Sequence, residues 1–268
     1  MSIRTMTSAQ RHNPNSLRPT ERFSDRVADY IRYRPSYPPE LLDCLRRQCG
    51  LTPRWVVADV GCGTGLLAKV FLENGNRVFG IEPNAAMRAA GEEFLHAYNQ
   101  FFSREGSAEA TGLEAASVDL VAAGQAFHWF DRRPARSEFE RILKPGGWVA
   151  LVWNERLTST PFLADYEHLL HRYSPDYAKV DHRNVDEEVL AQFFHPGHFG
   201  QEIFFMRQQF DWEGVRGRWL SSSYVPAPGQ PGHEEMRSEL QAIFRRYQQD
   251  GLVDWEYKTR VYYGRFVE

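Results

Sequence analysis

The chain has 268 residues, enough to bury a sizeable core as one large domain or one domain with a cap. Charged residues make up 25%, yet the formal net charge is −3, so no global basic field invites DNA. No run of about 18 apolar residues occurs, so no transmembrane helix is expected. Three cysteines, Cys44, Cys49 and Cys62, fit no zinc spacing and point to a reducing cytoplasm.

Residues 1–20 carry Arg4, Arg11 and Arg18 without an acid, and read as a frayed polar arm rather than a transit peptide. The spacing of Phe23, Val27, Tyr30 and Ile31 predicts a helix over Arg22–Arg32, capped by Ser24 or Asp25. Tyr33-Arg-Pro-Ser-Tyr-Pro-Pro39 breaks it, because Pro35 pushes Arg34 out of the α region. Pro39 then opens a helix, Glu40 to Cys49, that Gly50 ends.

Trp55 to Leu67 is the stretch around which the chain is organised. Val56, Val57 and Val60 suit a buried strand. Gly61, Gly63 and Gly65 let the backbone turn without Cβ clashes, and a helix starts at Leu66. Strand, glycine turn and helix make a nucleotide-sized pocket at the carboxyl end of a parallel strand. A second strand, Arg77 to Glu82, ends in an acid, and Ala85 to His96 is helical. Strands follow at Phe101–Phe102 and Val118–Ala122, then a helix at Arg136–Leu143. The turn Lys144–Gly147 leads into a strand from Trp148 to Trp153. This alternation predicts a doubly wound, mostly parallel α/β sheet. Helices are expected at Pro161–Tyr173, Asp186–Phe194, Trp212–Leu220 and Met236–Tyr247, and a strand at Ile203–Phe210. Trp255 to Phe266 alternates as a half-exposed antiparallel edge strand does.

The glycine spacing is G-x-G-x-G, with Leu66 where a dinucleotide fingerprint has its later residues, so the pyrophosphate pattern fails. Such a turn suits an amino-acid and ribose moiety better than a diphosphate. Glu82 can accept both hydroxyls of a ribose, a feature shared with NAD proteins.

Asp59-Val-Gly-Cys-Gly-Thr-Gly65, Glu82, Gly106-Ser-Ala-Glu109 and Leu143-Lys-Pro-Gly-Gly147 together resemble the class I S-adenosylmethionine-dependent methyltransferases over roughly residues 22–155. Tyr33-Arg-Pro-Ser-Tyr-Pro, Gln125-Ala-Phe-His-Trp-Phe and the end Tyr257 to Arg265 are similar to a small-molecule subgroup that includes trans-aconitate methyltransferase-like enzymes. The resemblance implies a Rossmann-like seven-stranded sheet with an antiparallel C-terminal strand and a helical cap. It places the core at 40–155 and 200–268, and the cap at 21–39, 155–200 and 212–235.

It also implies S-adenosylmethionine as cofactor. Gly61, Gly63 and Gly65 would line the methionine and ribose, with Asp59 near the amino group and Glu82 on the ribose hydroxyls. Pro83 or Asn84 would flank the adenine, and Ser107 and Ala108 its edge. Many relatives carry an aspartate where this chain has Ser107; Glu109 is a possible substitute. Gln125 and Ala126 would touch the methionyl part, and Arg34 the cofactor carboxylate. His128 is a candidate base or pocket residue. Tyr33, Trp129, Trp219 and Tyr224 are candidate acceptor walls, each with core packing or a solvated loop as the alternative. His168, His171, His195 and His198 form no metal-ligand pattern, so no metal is expected. The expected reaction is methyl transfer to an oxygen or nitrogen, carboxylate included, of a small organic acceptor. The alternatives are an RNA-modifying enzyme using Arg132, Arg133 and Arg136, a non-catalytic cofactor-binding subunit, and an NAD-dependent oxidoreductase. Oligomeric state is open.

Overall fold

A computed structural model describes residues 31–175, 177 and 186–267. The arm at 1–20 and most of the helix expected over Arg22–Arg32 lie outside the described residues, as does much of the stretch between residues 176 and 185. The elements run α1 (Glu40–Cys49), β1 (Val56–Val60), α2 (Leu66–Glu73), β2 (Arg77–Ile81), α3 (Ala85–Phe94), β3 (Phe101–Arg104) and β4 (Val118–Gly124). After a single 3-10 turn at Phe127–Trp129 come α4 (Arg132–Ile142), β5 (Leu143–Arg156), α5 (Pro161–Tyr173), α6 (Glu187–Phe194), β6 (Phe199–Phe210), α7 (Trp212–Leu220), α8 (His233–Tyr247) and β7 (Val253–Gly264).

The strands form one sheet in the order β3-β2-β1-β4-β5-β7-β6. Strands β1 to β5 pair in parallel, and β7 runs antiparallel to both its neighbours. This is a seven-stranded Rossmann-like sheet with an antiparallel C-terminal strand. The expectation of an edge strand at the C-terminus is corrected: β7 lies between β5 and β6, and β6 forms the edge. Its alternation reflects two unequal faces, not an open flank, with Val253, Trp255, Tyr257, Thr259 and Val261 buried.

Side chains of period two divide the core. Ala58, Val60, Val121, Val149 and Leu151 face a layer with Phe127, Phe139 and Ile142. Val57, Leu120, Ala122, Ala150 and Val152 face α1 and α2 through Leu41, Leu45, Leu67 and Phe71. Val118 and Leu120 would share a face in a regular strand. A register shift between them puts them on opposite faces, because their partners jump from Leu143 to Trp148. The segment Lys144–Gly147, expected as a turn, is therefore drawn into β5 as the extra length at this irregularity. Lys144 Nζ meets Asp119 Oδ2 at 2.8 Å there.

Strands β6 and β7 are 12 residues each, and β7 pairs with β5 only from Tyr257 onward. The leading end of β7 thus projects past the carboxyl end of β5. A separate apolar cluster grows on it: Trp255 and Tyr257 pack with Phe162 and Tyr166 of α5, Val215 and Trp219 of α7, and Met236 and Leu240 of α8. Arg156 at the end of β5 bonds Glu167 and the Tyr177 hydroxyl, tying α5 to the sheet. The expected cap over 155–200 divides physically: α5 joins this cluster. By contrast, Leu190, Phe193 and Phe194 of α6 pack against Phe127, Phe139 and Phe266 on the sheet face. Among the described residues, no helix is long and apolar enough to cross a membrane.

Candidate functional site

The β1 strand ends at Val60, and the amides of Gly61 and Cys62 both donate to the carbonyl of Ile81 at 2.9 and 3.0 Å. This stitches the glycine turn to the end of β2. Gly61 has φ +69° and lies so close to the β4 loop that a Cβ there would sit 2.5 Å from the Cβ of Ala126. Only glycine permits both the left-handed backbone and the approach.

A cavity of about 560 Å³ opens at the carboxyl ends of β1, β2 and β4, within the range of roughly 300–1,000 Å³ usual for ligand pockets. Asp59, Gly61 and Gly63 form its floor on β1 and its loop; Glu82, Pro83 and Asn84 come from the end of β2. Ser107, Ala108 and Glu109 come from the β3–β4 connection, and Gln125, Ala126 and Trp129 from the end of β4. The far wall holds Arg34 and Tyr37 from the segment before α1, Asn154 of β5 and Arg218 of α7.

Glu82 is held by its backbone partners. Its Oε2 accepts from the Gly63 amide and its Oε1 from the Asn84 amide, each at 2.9 Å. Each oxygen keeps a further lone pair, so the carboxylate can still accept two hydroxyls. Burial pushes its carboxyl up from the usual range, against the pull of the Asn84 and Gly63 amides and of Arg88. Asn84 also caps α3 by accepting from the Met87 amide at 3.0 Å.

Asp59 is 1% exposed, and neither of its oxygens has a full hydrogen bond. Burial raises its carboxyl to about 7, with weaker contacts from the Cys62 thiol and the Ala68 amide pulling it down. A buried acid bordering a cavity without a strong donor is a seat for a cation supplied by a ligand. The Cys62 thiol is driven well above its ordinary value by burial and by the negative charge of Asp59. It is therefore a small packing group and no nucleophile.

Gln125 adopts φ +56°, donates its amide to the carbonyl of Val152 at 2.9 Å, and gives Nε2 to the carbonyl of Asn154 at 2.9 Å. Asn154 Nδ2 donates to the Ser36 carbonyl at 3.0 Å, while its Oδ1 accepts from Thr259 at 2.7 Å. Arg34, two residues before Ser36, donates Nε to Ser221 Oγ at 3.1 Å and Nη2 to the Ser221 carbonyl at 3.0 Å. The segment from Arg34 to Tyr37 is thus strapped across the cavity from the end of β5 to the end of α7.

Of the residues singled out in the sequence, Arg34, Asp59, Gly61, Gly63, Glu82, Pro83, Ser107, Ala108, Gln125, Ala126 and Trp129 come together around the cavity. Gly65 does not line it. With φ +85°, Gly65 precedes α2 and lies against Leu95, where a Cβ would sit 2.4 Å from Cδ1. His128 is likewise outside the lining, its ring against Trp129 with centroids 4.9 Å apart. A 3-10 turn sends its successive side chains to different sides, so Phe127 enters the core and Trp129 the cavity. Trp219 is fully buried in the cluster on β7, its indole N–H against the Met236 sulfur. Tyr33 packs over Gly217, and Tyr224 stacks near Tyr177 at 4.9 Å; neither lines the cavity. Glu109, the substitute for an aspartate at Ser107, accepts from the Asp131 amide at 2.8 Å.

Tyr37, Asn154 and Arg218 were not singled out. Tyr37 stood inside the Tyr33–Pro39 segment, and its hydroxyl approaches Gly124 so closely that a Cβ there would be 2.2 Å away. Arg218 gave no signal, since an arginine in a charged helix reads as solvated. Yet α7 is buried from Gly214 to Trp219 except at Arg216.

Residues 58–151 match the family model of the methyltransferase domain. The chain is similar to an uncharacterized methyltransferase of Schizosaccharomyces pombe, 29% identical over 248 residues that cover 90% of this chain and 95% of the relative. An uncharacterized methyltransferase of Mycobacterium tuberculosis is 39% identical over 134 residues, covering 50% of this chain and 52% of that protein. The chain therefore matches about half the length of the mycobacterial relative. A solved structure described as a type II methyltransferase from Anaeromyxobacter dehalogenans aligns with a TM-score of 0.65. The alignment is 22% identical and covers 88% of this chain and 99% of that one, a likeness of fold.

Proposed function

We propose that this chain, a class I S-adenosylmethionine-dependent methyltransferase, methylates an oxygen or nitrogen of a small organic acceptor. Bound there, the cofactor would supply an electrophilic methyl carbon to a lone pair of the acceptor, its sulfonium leaving as a thioether.

The residues present fit that cofactor. Asp59 is a buried acid short of a donor, and the methionyl ammonium would provide one. Gly61 and Gly63 leave a cradle that a Cβ would fill or strain, which lets the ligand lie on the backbone. Glu82 has lone pairs left for the ribose hydroxyls, and Pro83 with Ser107 and Ala108 would flank the adenine. Gln125 and Ala126 would border the methionyl part, and Arg34 would meet its carboxylate. Substrate positioning and exclusion of water are what this chain contributes to the displacement.

The observation that supports a small acceptor is the cavity itself: about 560 Å³, lined by Tyr37, Asn154 and Arg218 as well as by the residues that fit the cofactor, is room for a compact molecule beside it. The RNA reading is weakened by Arg136. Its guanidinium donates to the carbonyls of Phe193 and His195 and pairs with Glu140, so it is spent inside the fold. No histidine lines the cavity among the described residues. An acceptor that is already an anion, such as a carboxylate, needs no base there. This supports, as our reading, an acceptor of the kind used by the subgroup resembling the trans-aconitate methyltransferases.

The test is a methyl-transfer screen with S-adenosylmethionine over carboxylic acids, phenols, amines and tRNA. Turnover of small acceptors with none of tRNA supports the reading. Turnover of tRNA alone overturns it.

A further inference from the structure

Arg218 has no part in the cofactor fit above, yet it is 5% exposed and lines the same cavity. Its partners are all neutral: Nε donates to the Tyr257 hydroxyl at 3.0 Å, and Nη1 to Ser222 Oγ at 3.3 Å and Ser221 Oγ at 3.5 Å. Its guanidinium lies near Trp255 and Tyr257, with ring centroids 5.5 and 6.0 Å away. Among the described residues no carboxylate pairs with it, and Nη2 makes no hydrogen bond. Arg34 bonds the same two serines, at 3.1 Å to Ser221 Oγ and 3.4 Å to Ser222 Oγ. Two guanidinium groups therefore converge on neutral hydroxyls inside the protein.

A buried arginine cannot discharge itself by losing its proton. Its desolvation is offset only by an anion or by good hydrogen bonds, and the contacts from Nη1 are long ones. The fold fixes the group all the same. Tyr257, 1% exposed, holds Nε, and Ser221 Oγ is itself oriented by donating to the Arg218 carbonyl at 2.7 Å. What remains unused is Nη2, on a residue that lines the same cavity as the acids Asp59 and Glu82. An unused guanidinium N–H pair on a charge with no acid beside it suits a carboxylate oxygen.

We propose that Arg218 is a specificity-determining residue that seats a carboxylate of the methyl acceptor; the assignment rests on the small-acceptor reading above. The site is separate in origin from the cofactor end. Arg218 comes from α7 on the projecting end of β7, whereas the residues that fit the cofactor come mainly from the loops after β1 to β4. The cofactor has its own carboxylate, so the experiment must separate the two anions.

The variants are Arg218→Gln, which removes the charge, and Arg218→Lys, which keeps it without the fork. Each is measured three ways: S-adenosylhomocysteine affinity by calorimetry; the thermal shift of the S-adenosylhomocysteine complex on adding mono-, di- and tricarboxylic acids; and KM and kcat for the acids against their amides. The expected result is saturable binding of one or more acids and none of the matching amides. Arg218→Gln then raises the acid's KM or dissociation constant roughly 10- to 100-fold, and Arg218→Lys recovers part of the loss. S-adenosylhomocysteine affinity stays within about twofold of the parent, which also certifies the fold of each variant. Weakened S-adenosylhomocysteine binding in Arg218→Lys with an unchanged melting temperature would assign the arginine to the cofactor and overturn the proposal. So would equal use of acids and amides, or no saturable binding of any acid to the parent. Acid binding through Arg218 without methyl transfer would instead sustain the site and sink the small-acceptor reading.

Discussion

Asp59→Asn is the substitution that separates the cost of the empty site from its use. Burial raises the carboxyl from 3.8 to about 7, a gap of about 3 pKa units at about 1.4 kcal/mol each. The fold therefore carries roughly 4 kcal/mol against the charged form at high pH. The sign follows from which form the fold prefers. The folded value lies above the unfolded one, so the fold favours the protonated acid. This contribution is fully present below about pH 4 and is lost as pH rises through about 7. The ligand-free Asp59→Asn protein is then more stable than the parent at pH 8, by roughly 2–4 kcal/mol, and gains little at pH 4. A methionyl ammonium placed beside Asp59 reverses the preference and holds the acid ionised. At pH 7, binding S-adenosylhomocysteine then releases about half a proton from this group. Affinity rises between about pH 5.5 and 7.5, until the ligand's own amine begins to titrate. Calorimetry in buffers of different ionisation enthalpy reads the released proton, and urea unfolding at pH 4 and pH 8 reads the stability. Asp59→Asn binds S-adenosylhomocysteine roughly 10- to 100-fold more weakly. An affinity flat in pH, joined to unimpaired binding by Asp59→Asn, would refute the assignment of the ammonium to this acid.

Gly61→Ala places a methyl 2.5 Å from the Cβ of Ala126 at a backbone angle of +69°. It is expected to abolish S-adenosylhomocysteine binding and to lower stability by roughly 2–5 kcal/mol, read by calorimetry and urea unfolding. Glu138, paired with Arg141 and accepting from Thr111, is held down at about 2. Its stabilising share is present above about pH 4.5 and vanishes as pH falls toward 2, so Glu138→Gln flattens the acid limb of unfolding and costs roughly 2 kcal/mol at pH 7. His128→Ala, outside the cavity lining, leaves kcat within about threefold in the methyl-transfer assay; a drop of more than about 100-fold, the scale of general-base catalysis, would return His128 to the chemistry. Limited proteolysis of the 31–39 and 212–235 segments should slow when S-adenosylhomocysteine and acceptor are both present, because both segments border the cavity; unchanged cleavage would count against closure of a cap.

What the sequence made legible was whatever depends on neighbours along the chain. Strand β1, the three glycines and Glu82 were readable because a left-handed turn and a strand-end acid leave local marks. Arg34, Asp59, Ser107, Ala108, Gln125 and Ala126 carry no such mark and were implied only by the family resemblance. The far wall was not readable in this way, since it is made where β7 projects beyond β5 and gathers α5, α7 and α8 around Trp255. No local pattern in Trp212–Leu220 distinguishes an arginine that faces solvent from one bound to Tyr257, 39 residues on. The same reason explains the misplaced β7. Its alternation records one face on the core and another half-buried, and an interior strand between two antiparallel partners writes the same pattern as an edge. The position of His128 outside the lining has a third reason: within the 3-10 turn Phe127 enters the core and Trp129, two positions on, the cavity, so adjacency to Trp129 carries no information about direction. The glycine-turn side of this cavity is thus set by short-range constraints that a chain keeps on its own. The side lined by Asn154 and Arg218 is set by long-range packing, and substitutions there can change what the cavity holds without disturbing the glycine turn.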